Sequence, residues 1–204
     1  MSKDFCLIRS INDALTFKQS TDVIIEGDRG TGKSTVGLSI CLMGDRNGFD
    51  ESKIIYTKDE LINAINNSKD GDFLLLDEAG GEGSGLSSRS AMSGENKETS
   101  SLIRLIRSKK ICLVYISPDR SWIDNRVRDF ARYDLRPISK LTNEETNGNG
   151  LAILTELKQV VFGDEKKYVH PENVKHVIFP VPPKCLLDKY DKKRDAYLQS
   201  HIAK

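Results

Sequence analysis

At 204 residues the chain is long enough for one α/β domain with a buried core and too short for two full domains. Hydrophobic residues at 38% and charged residues at 30% leave no run near the ~20 apolar residues that cross a bilayer, and the opening MSKDFCLIRS lacks the apolar core and cleavage site of a secretory signal, so a soluble protein inside a cell is expected. A net charge of +1 excludes a uniformly basic nucleic-acid binder, although one basic face suffices for a groove or a ring.

From about residue 22 to 138, short runs rich in β-branched residues alternate with helix-compatible stretches, the pattern of strands and crossover helices in a parallel sheet. Strands are predicted at DVIIE (22–26), KIIYT (53–57), FLLLD (73–77), ICLVYIS (111–117) and RYDLRPI (132–138). Continuous apolar runs of this kind suit strands buried on both faces. Helices are predicted over 33–43, 58–67, 96–108 and 121–130, the third with an apolar stripe of Leu102, Ile103, Leu105 and Ile106 beside Arg104 and Arg107. The Gly/Ser-dominated segment 79–101 reads as a mobile loop, either a surface insertion or a functional element. Past the polar turn NEETNGNG (143–150), LAILTELKQVVFGDEKKYVHP reads as a β-hairpin, and PVPP (180–183) introduces an amphipathic helix over 186–202. One domain over 1–204 is expected, with a core over about 22–138 and a hairpin-and-helix appendage over about 150–204. Cys6, Cys41, Cys112 and Cys185 are far apart, without the paired spacing of a zinc site, and read as buried thiols.

Two motifs carry chemistry. GDRGTGKS matches the P-loop pattern G-x-x-x-x-G-K-[ST] and places Gly27, Asp28, Arg29, Gly30, Thr31, Gly32, Lys33, Ser34 and Thr35 between a strand and a helix. Glycines let the backbone wrap with its N–H groups inward while the positive end of the helix dipole faces the same point, an arrangement that fits a polyphosphate such as ATP. Lys33 is expected to reach the β and γ phosphates, the Ser34 hydroxyl to ligate Mg²⁺, and Thr35 to touch the α phosphate. The second motif is FLLLDEAG, an apolar strand ending in acid, the Walker B arrangement, in which Asp77 would hold the Mg²⁺ shell. Glu78 beside it suits a base that polarises water for attack on the γ phosphate; its bland alternative is a solvent-facing glutamate at a strand end.

A P-loop followed by DE at the second motif resembles the additional-strand, catalytic-glutamate, RecA-like branch of P-loop NTPases, which implies an α/β fold with a mainly parallel sheet. In that branch the strand after Walker B lies between the P-loop strand and the Walker B strand, which makes Ser117 the sensor candidate. Small GTPases fit less well: Asp77 to Gly80 reads D-x-x-G, but Thr99 stands where N-K-x-D needs its aspartate, and the two elements are too close together. LIRLIRSKKICLVYISPD resembles the FtsK/HerA superfamily of ring-forming DNA pumps, in which an arginine-bearing helix leads into the sensor strand. The resemblance implies an arginine finger at Arg107, with Arg104 as second candidate, acting in a neighbouring subunit's site. It is strongest to the genome-packaging ATPases of membrane-containing icosahedral viruses, including the turreted viruses of hot-spring archaea. What it implies is a ring, a hexamer, that drives double-stranded DNA into a preformed capsid. The implied docking partner is the capsid vertex or a membrane-associated virion protein, and the implied location is the host cytoplasm or the packaging vertex. The resemblance covers 22–138, and Ser117 followed by Pro118 departs from the Gln or Asn of many relatives.

Residues 104–136 hold nine basic side chains (Arg104, Arg107, Lys109, Lys110, Arg120, Arg126, Arg128, Arg132, Arg136) against four acidic ones, a surplus that can track phosphates or belong to a salt-bridged surface. Arg89 and Lys97 are candidates to line a central channel, and Trp122 reads as core. A P-loop kinase acting on a small acceptor and a nucleotide-sensing adaptor are the alternative functions.

Overall fold

The computed structural model describes residues 7–17, 21–79, 86–87, 96–129, 131–141, 152–161 and 168–202. Most of the Gly/Ser segment, including Arg89, lies outside them. Among the described residues the elements run α1 (Leu7–Thr16), β1 (Asp22–Glu26), α2 (Lys33–Gly44), β2 (Ile54–Ile55), α3 (Lys58–Asn67), β3 (Phe73–Leu76), α4 (Asn96–Ser108), β4 (Cys112–Ser117), α5 (Asn125–Arg128), β5 (Ala131–Leu141), β6 (Ala152–Val161), β7 (Tyr168–Pro180) and α6 (Lys184–Ile202).

These strands form one sheet in the order β2-β3-β4-β1-β5-β6-β7. The first five are mutually parallel; β6 and β7 continue the sheet antiparallel. β4 therefore sits between β1 and β3, as the catalytic-glutamate branch requires, and the fold is α/β of the P-loop NTPase type. The hairpin expected after residue 150 is present as β6 and β7 and joins the sheet beside β5.

Alternation along the central strands feeds two cores, one per face. Val23, Ile25, Leu75, Val114 and Ile116 meet α1, α2 and α6 through Ile11, Leu38 and Leu186. Ile24, Leu74, Leu76, Leu113 and Tyr115 meet α3, α4 and α5 through Leu61, Ile106 and Val127. α2 is buried from Val36 to Cys41 without a polar face, since α1 covers the side that the sheet does not. A Cβ on Gly37 would stand 2.7 Å from Leu75 Cδ1, so a glycine there is what lets α2 approach the sheet. α3 starts at a reciprocal cap, in which the Thr57 hydroxyl accepts from the Glu60 amide while the Glu60 carboxylate accepts from the Thr57 amide.

Several expectations need correction. Strand 53–57 shrinks to Ile54–Ile55, because Thr57 is committed to capping α3. Helix 121–130 is a 3-10 turn at Arg120–Trp122 followed by the four-residue α5, because the Asp119 and Asp124 carboxylates each cap a new start. Trp122 is 47% exposed rather than core. Cys41 and Cys112 are buried thiols, but Cys185 is exposed. α1, which the sequence reading did not anticipate, buries Leu7, Ile11, Ala14 and Leu15.

One ion cluster pins the edge of the sheet. Lys53 Nζ stands 2.6 Å from Asp45 Oδ2 and 2.9 Å from Asp72 Oδ1, and both carboxylates are almost fully enclosed. Burial alone would raise the Asp72 pKa, but hydrogen bonds from the Lys69 amide, Lys53 and Asn47 outweigh it and hold the group below the ordinary value. Its stabilising share is therefore complete above the ordinary carboxylate pKa of ~3.9 and is lost as pH falls through the lowered folded value. Lys53→Met should cost about 3 kcal/mol by leaving two buried carboxylates without a counter-charge. Urea denaturation checks it; a midpoint equal to the parent's would contradict this role.

Candidate functional site

Where β1 ends, the backbone turns through Gly30 and Gly32 at φ +82° and +92°, a left-handed region open to glycine at little cost. Gly32 is the N-cap of α2 and no side chain caps the helix, so its first N–H groups have no side-chain acceptor. The loop closes on itself: the Thr31 hydroxyl donates to the Asp28 carbonyl at 2.9 Å, and the Lys33 ammonium donates to the carbonyls of Gly27 (2.7 Å) and Asp28 (2.8 Å). It is also tied to β4, because the Gly27 amide donates to the Pro118 carbonyl at 3.2 Å. Partial burial lowers the Lys33 pKa, and the charges of Asp77, Asp28 and Glu78 pull it back up in part. Lys33 and both motif carboxylates thus feel one another.

Asp77 follows β3 directly, and its amide donates to the Ile55 carbonyl at 3.0 Å. The side chain is buried, with Oδ1 accepting from the Glu78 amide at 3.0 Å and Oδ2 accepting from the Tyr190 hydroxyl of α6. Burial raises its pKa; those two hydrogen bonds, then Arg194 and Lys33, oppose the rise. The Ser34 side chain is close enough to the same phenol to favour its ionised form. Burial, then the Asp77 charge, raises the Tyr190 pKa, which keeps the phenol a donor at neutral pH.

Glu78 is the one described non-glycine residue with positive φ, at 58°. The strain is held by flanking hydrogen bonds, the Glu78 amide to Asp77 and the Ala79 amide to the Ile116 carbonyl at 2.9 Å. Partial desolvation of its carboxyl, then the charge of Asp77, raises the Glu78 pKa above the ordinary range, while Lys33 and Arg29 counter.

Ser117 is fully buried, lies opposite Glu26 in the β1–β4 register and donates to the Asp119 carbonyl at 2.8 Å. Arg104 is exposed on α4. Arg107 lies in the last turn of α4, and its side chain, like that of Lys97, is outside the described ones. The basic surplus of 104–136 is partly spent at home. Arg120 pairs with Asp134, Arg126 with Asp124 at 2.8 Å, and Lys110 with Asp70 at 2.8 Å. Tyr190 is the site residue that the sequence did not disclose, since a tyrosine on an amphipathic terminal helix carries no motif.

The donor set fits a magnesium–triphosphate. Ser34 in the first turn of α2 and Asp77 just past β3 are hard oxygen donors, and a small octahedral cation of this kind takes one or two protein ligands and completes its shell with phosphate and water. Among the described residues no group of three or more His, Cys, Asp or Glu side chains could hold a metal ion.

No family model matches the sequence, and a search of curated proteins finds no match. Among solved structures, the N-terminal domain of zonular occludens toxin from Neisseria meningitidis is similar over 85% of this chain and 98% of that one, at 14% identity and a TM-score of 0.47. A chain of the E. coli MS115-1 HORMA:CdnC:Trip13 complex is similar over 67% of this chain and 54% of its own length, at 18% identity and a TM-score of 0.42. The genome packaging NTPase B204 from Sulfolobus turreted icosahedral virus 2, in complex with ATP-gammaS, is similar over 81% of this chain and 99% of its own, at 11% identity and a TM-score of 0.42. The fold assignment rests on strand order and loop geometry, not on these likenesses. Among the described residues, no helix is long and apolar enough to cross a membrane.

Because a glycine adopts the backbone of residue 78 without the left-handed penalty, Glu78→Gly should raise stability by about 0.5–1 kcal/mol. A lower urea midpoint in that variant would show that the side chain stabilises the turn instead of straining it.

Proposed function

We propose that the chain is an ATPase of the additional-strand, catalytic-glutamate P-loop class that works as a ring and moves double-stranded DNA. The hydrolytic part is carried by one observation: Lys33, Asp77 and Glu78 converge at the carboxyl ends of β1 and β3, with β4 inserted between those strands. Ser34 and Asp77 would hold Mg²⁺, which when bound supplies positive charge to the phosphate oxygens. The remaining steps belong to the chain. Loop N–H groups and the α2 terminus bind the phosphates, and Lys33 exchanges its own loop carbonyls for phosphate oxygens. Glu78 orients water and accepts its proton, and its raised pKa brings it closer to the range a general base needs.

DNA movement and the ring are the reading favoured by the sequence resemblance, with Arg104 and Arg107 on the helix that leads into β4 as the residues that would enter a neighbouring site. Arginine suits that task because it is always charged and offers fixed donors. The reading extends to a hexamer that loads a viral genome into a preformed capsid, docked on the capsid vertex or a membrane-associated virion protein. Gripping any sequence calls for phosphate contacts rather than base reading.

Phosphate release from Mg·ATP, measured with and without duplex DNA, tests the proposal. DNA should stimulate release. Glu78→Gln should keep nucleotide binding and lose ~10²-fold or more of turnover. Turnover in the parent should fall as pH drops through the raised Glu78 value, because the base must be deprotonated. ATP consumed only with a small acceptor, which then carries the phosphoryl group, would point to a kinase, and binding without any turnover to a nucleotide-sensing adaptor; either outcome overturns the proposal.

A further inference from the structure

α6 reaches the site from 113 residues away in sequence: the Tyr190 hydroxyl donates to Asp77 Oδ2, and the same phenol is close enough to Ser34 to feel it. The phenol therefore holds the carboxylate at the end of β3 beside the start of α2. The Asp77 carboxylate keeps Oδ1 on the Glu78 amide at 3.0 Å, so both of its oxygens are fixed by donors from different elements. A carboxylate held in this way cannot rotate freely.

The phenol is itself firmly seated. Tyr190 is 4% exposed, with its ring 6.5 Å from that of Tyr56 and the Arg194 guanidinium 5.4 Å above it. Tyr197, two turns further along, stacks on Tyr56 at 4.9 Å. Between them Lys193 donates to the Ile54 carbonyl of β2 and stands 3.4 Å from Glu60. Beyond the tyrosine, α6 is thus anchored to the strand next to β3 and to α3.

We propose that Tyr190 is a positioning residue for the divalent cation: it orients Asp77 beside Ser34, and thereby makes the C-terminal helix part of the metal site. The proposal rests on the magnesium-dependent nucleotide binding proposed above and adds a residue that the two motifs do not contain. Outer partners that fix the orientation of metal ligands typically matter 10–100-fold for metal affinity.

The test is calorimetric and does not depend on turnover. A non-hydrolysable ATP analogue is titrated into the full chain with Mg²⁺ and with EDTA, for the parent and for Tyr190→Phe, which keeps the ring and removes the hydroxyl. The expected result is an unchanged affinity in EDTA and a loss of about tenfold or more in the Mg²⁺-dependent gain. An unchanged or larger Mg²⁺-dependent gain in Tyr190→Phe would overturn the proposal, the larger gain by showing that the phenol competes with the ion. A parent without any Mg²⁺-dependent gain would instead remove the reading on which the proposal stands, so the two failures are distinct. Should Tyr190→Phe not fold by circular dichroism, Lys193→Met loosens the same helix without touching the phenol. It is expected to lower the Mg²⁺-dependent gain several-fold, and an unchanged gain overturns the proposal.

Discussion

A carboxylate that is 5% exposed must find donors or lose its charge, and Asp77 finds them in two parts of the chain. Its own neighbour supplies the Glu78 amide and α6 supplies the Tyr190 phenol. The rest of the site follows from satisfying that group. The turn that aims the Glu78 amide at Asp77 forces Glu78 into a left-handed backbone, and this carries its carboxyl toward Lys33 and Arg29. The sheet holds the arrangement because β4 lies between β1 and β3 and ties to both, through the Pro118 carbonyl to the P-loop and the Ile116 carbonyl to Ala79.

The two-core architecture places these groups at one edge. Each central strand sends alternate side chains to opposite faces, so the strand ends, where the alternation stops, are the positions left for polar chemistry. α2 can bring the P-loop to that edge because Gly37 permits close contact with Leu75 and Ile116. On the far side of the sheet, Lys53 neutralises Asp45 and Asp72 at the base of β3, well away from the motif carboxylates in register.

The central strands and the P-loop are legible in the sequence because both have local signatures: apolar runs for strands buried on two faces, and glycines at positions needing left-handed backbone. Helix 58–67 and helix 96–108 were legible to the residue, the first because its Thr57–Glu60 box marks the start. Legibility failed where a residue's role is set by a distant partner. β2 was read too long because Thr57 serves the next helix, and 121–130 was read as one helix because two aspartate caps restart the backbone. Trp122, expected in the core, is left in solvent by its neighbours. Tyr190 was invisible because only the folded chain brings α6 to Asp77. Part of the basic surplus in 104–136 is likewise a matter of pairing: Arg120, Arg126 and Lys110 each face a carboxylate, the last on the open surface.

The central claim is that a magnesium–triphosphate settles where β1 turns into α2, facing the carboxylates at the end of β3. Isothermal titration of Mg·ATP into the parent chain and into Lys33→Ala tests it most directly. The account predicts saturable binding by the parent at one site per chain and a large loss of affinity in Lys33→Ala. No heat of binding with the parent at concentrations that allow self-association, or equal affinity in both proteins, would contradict it.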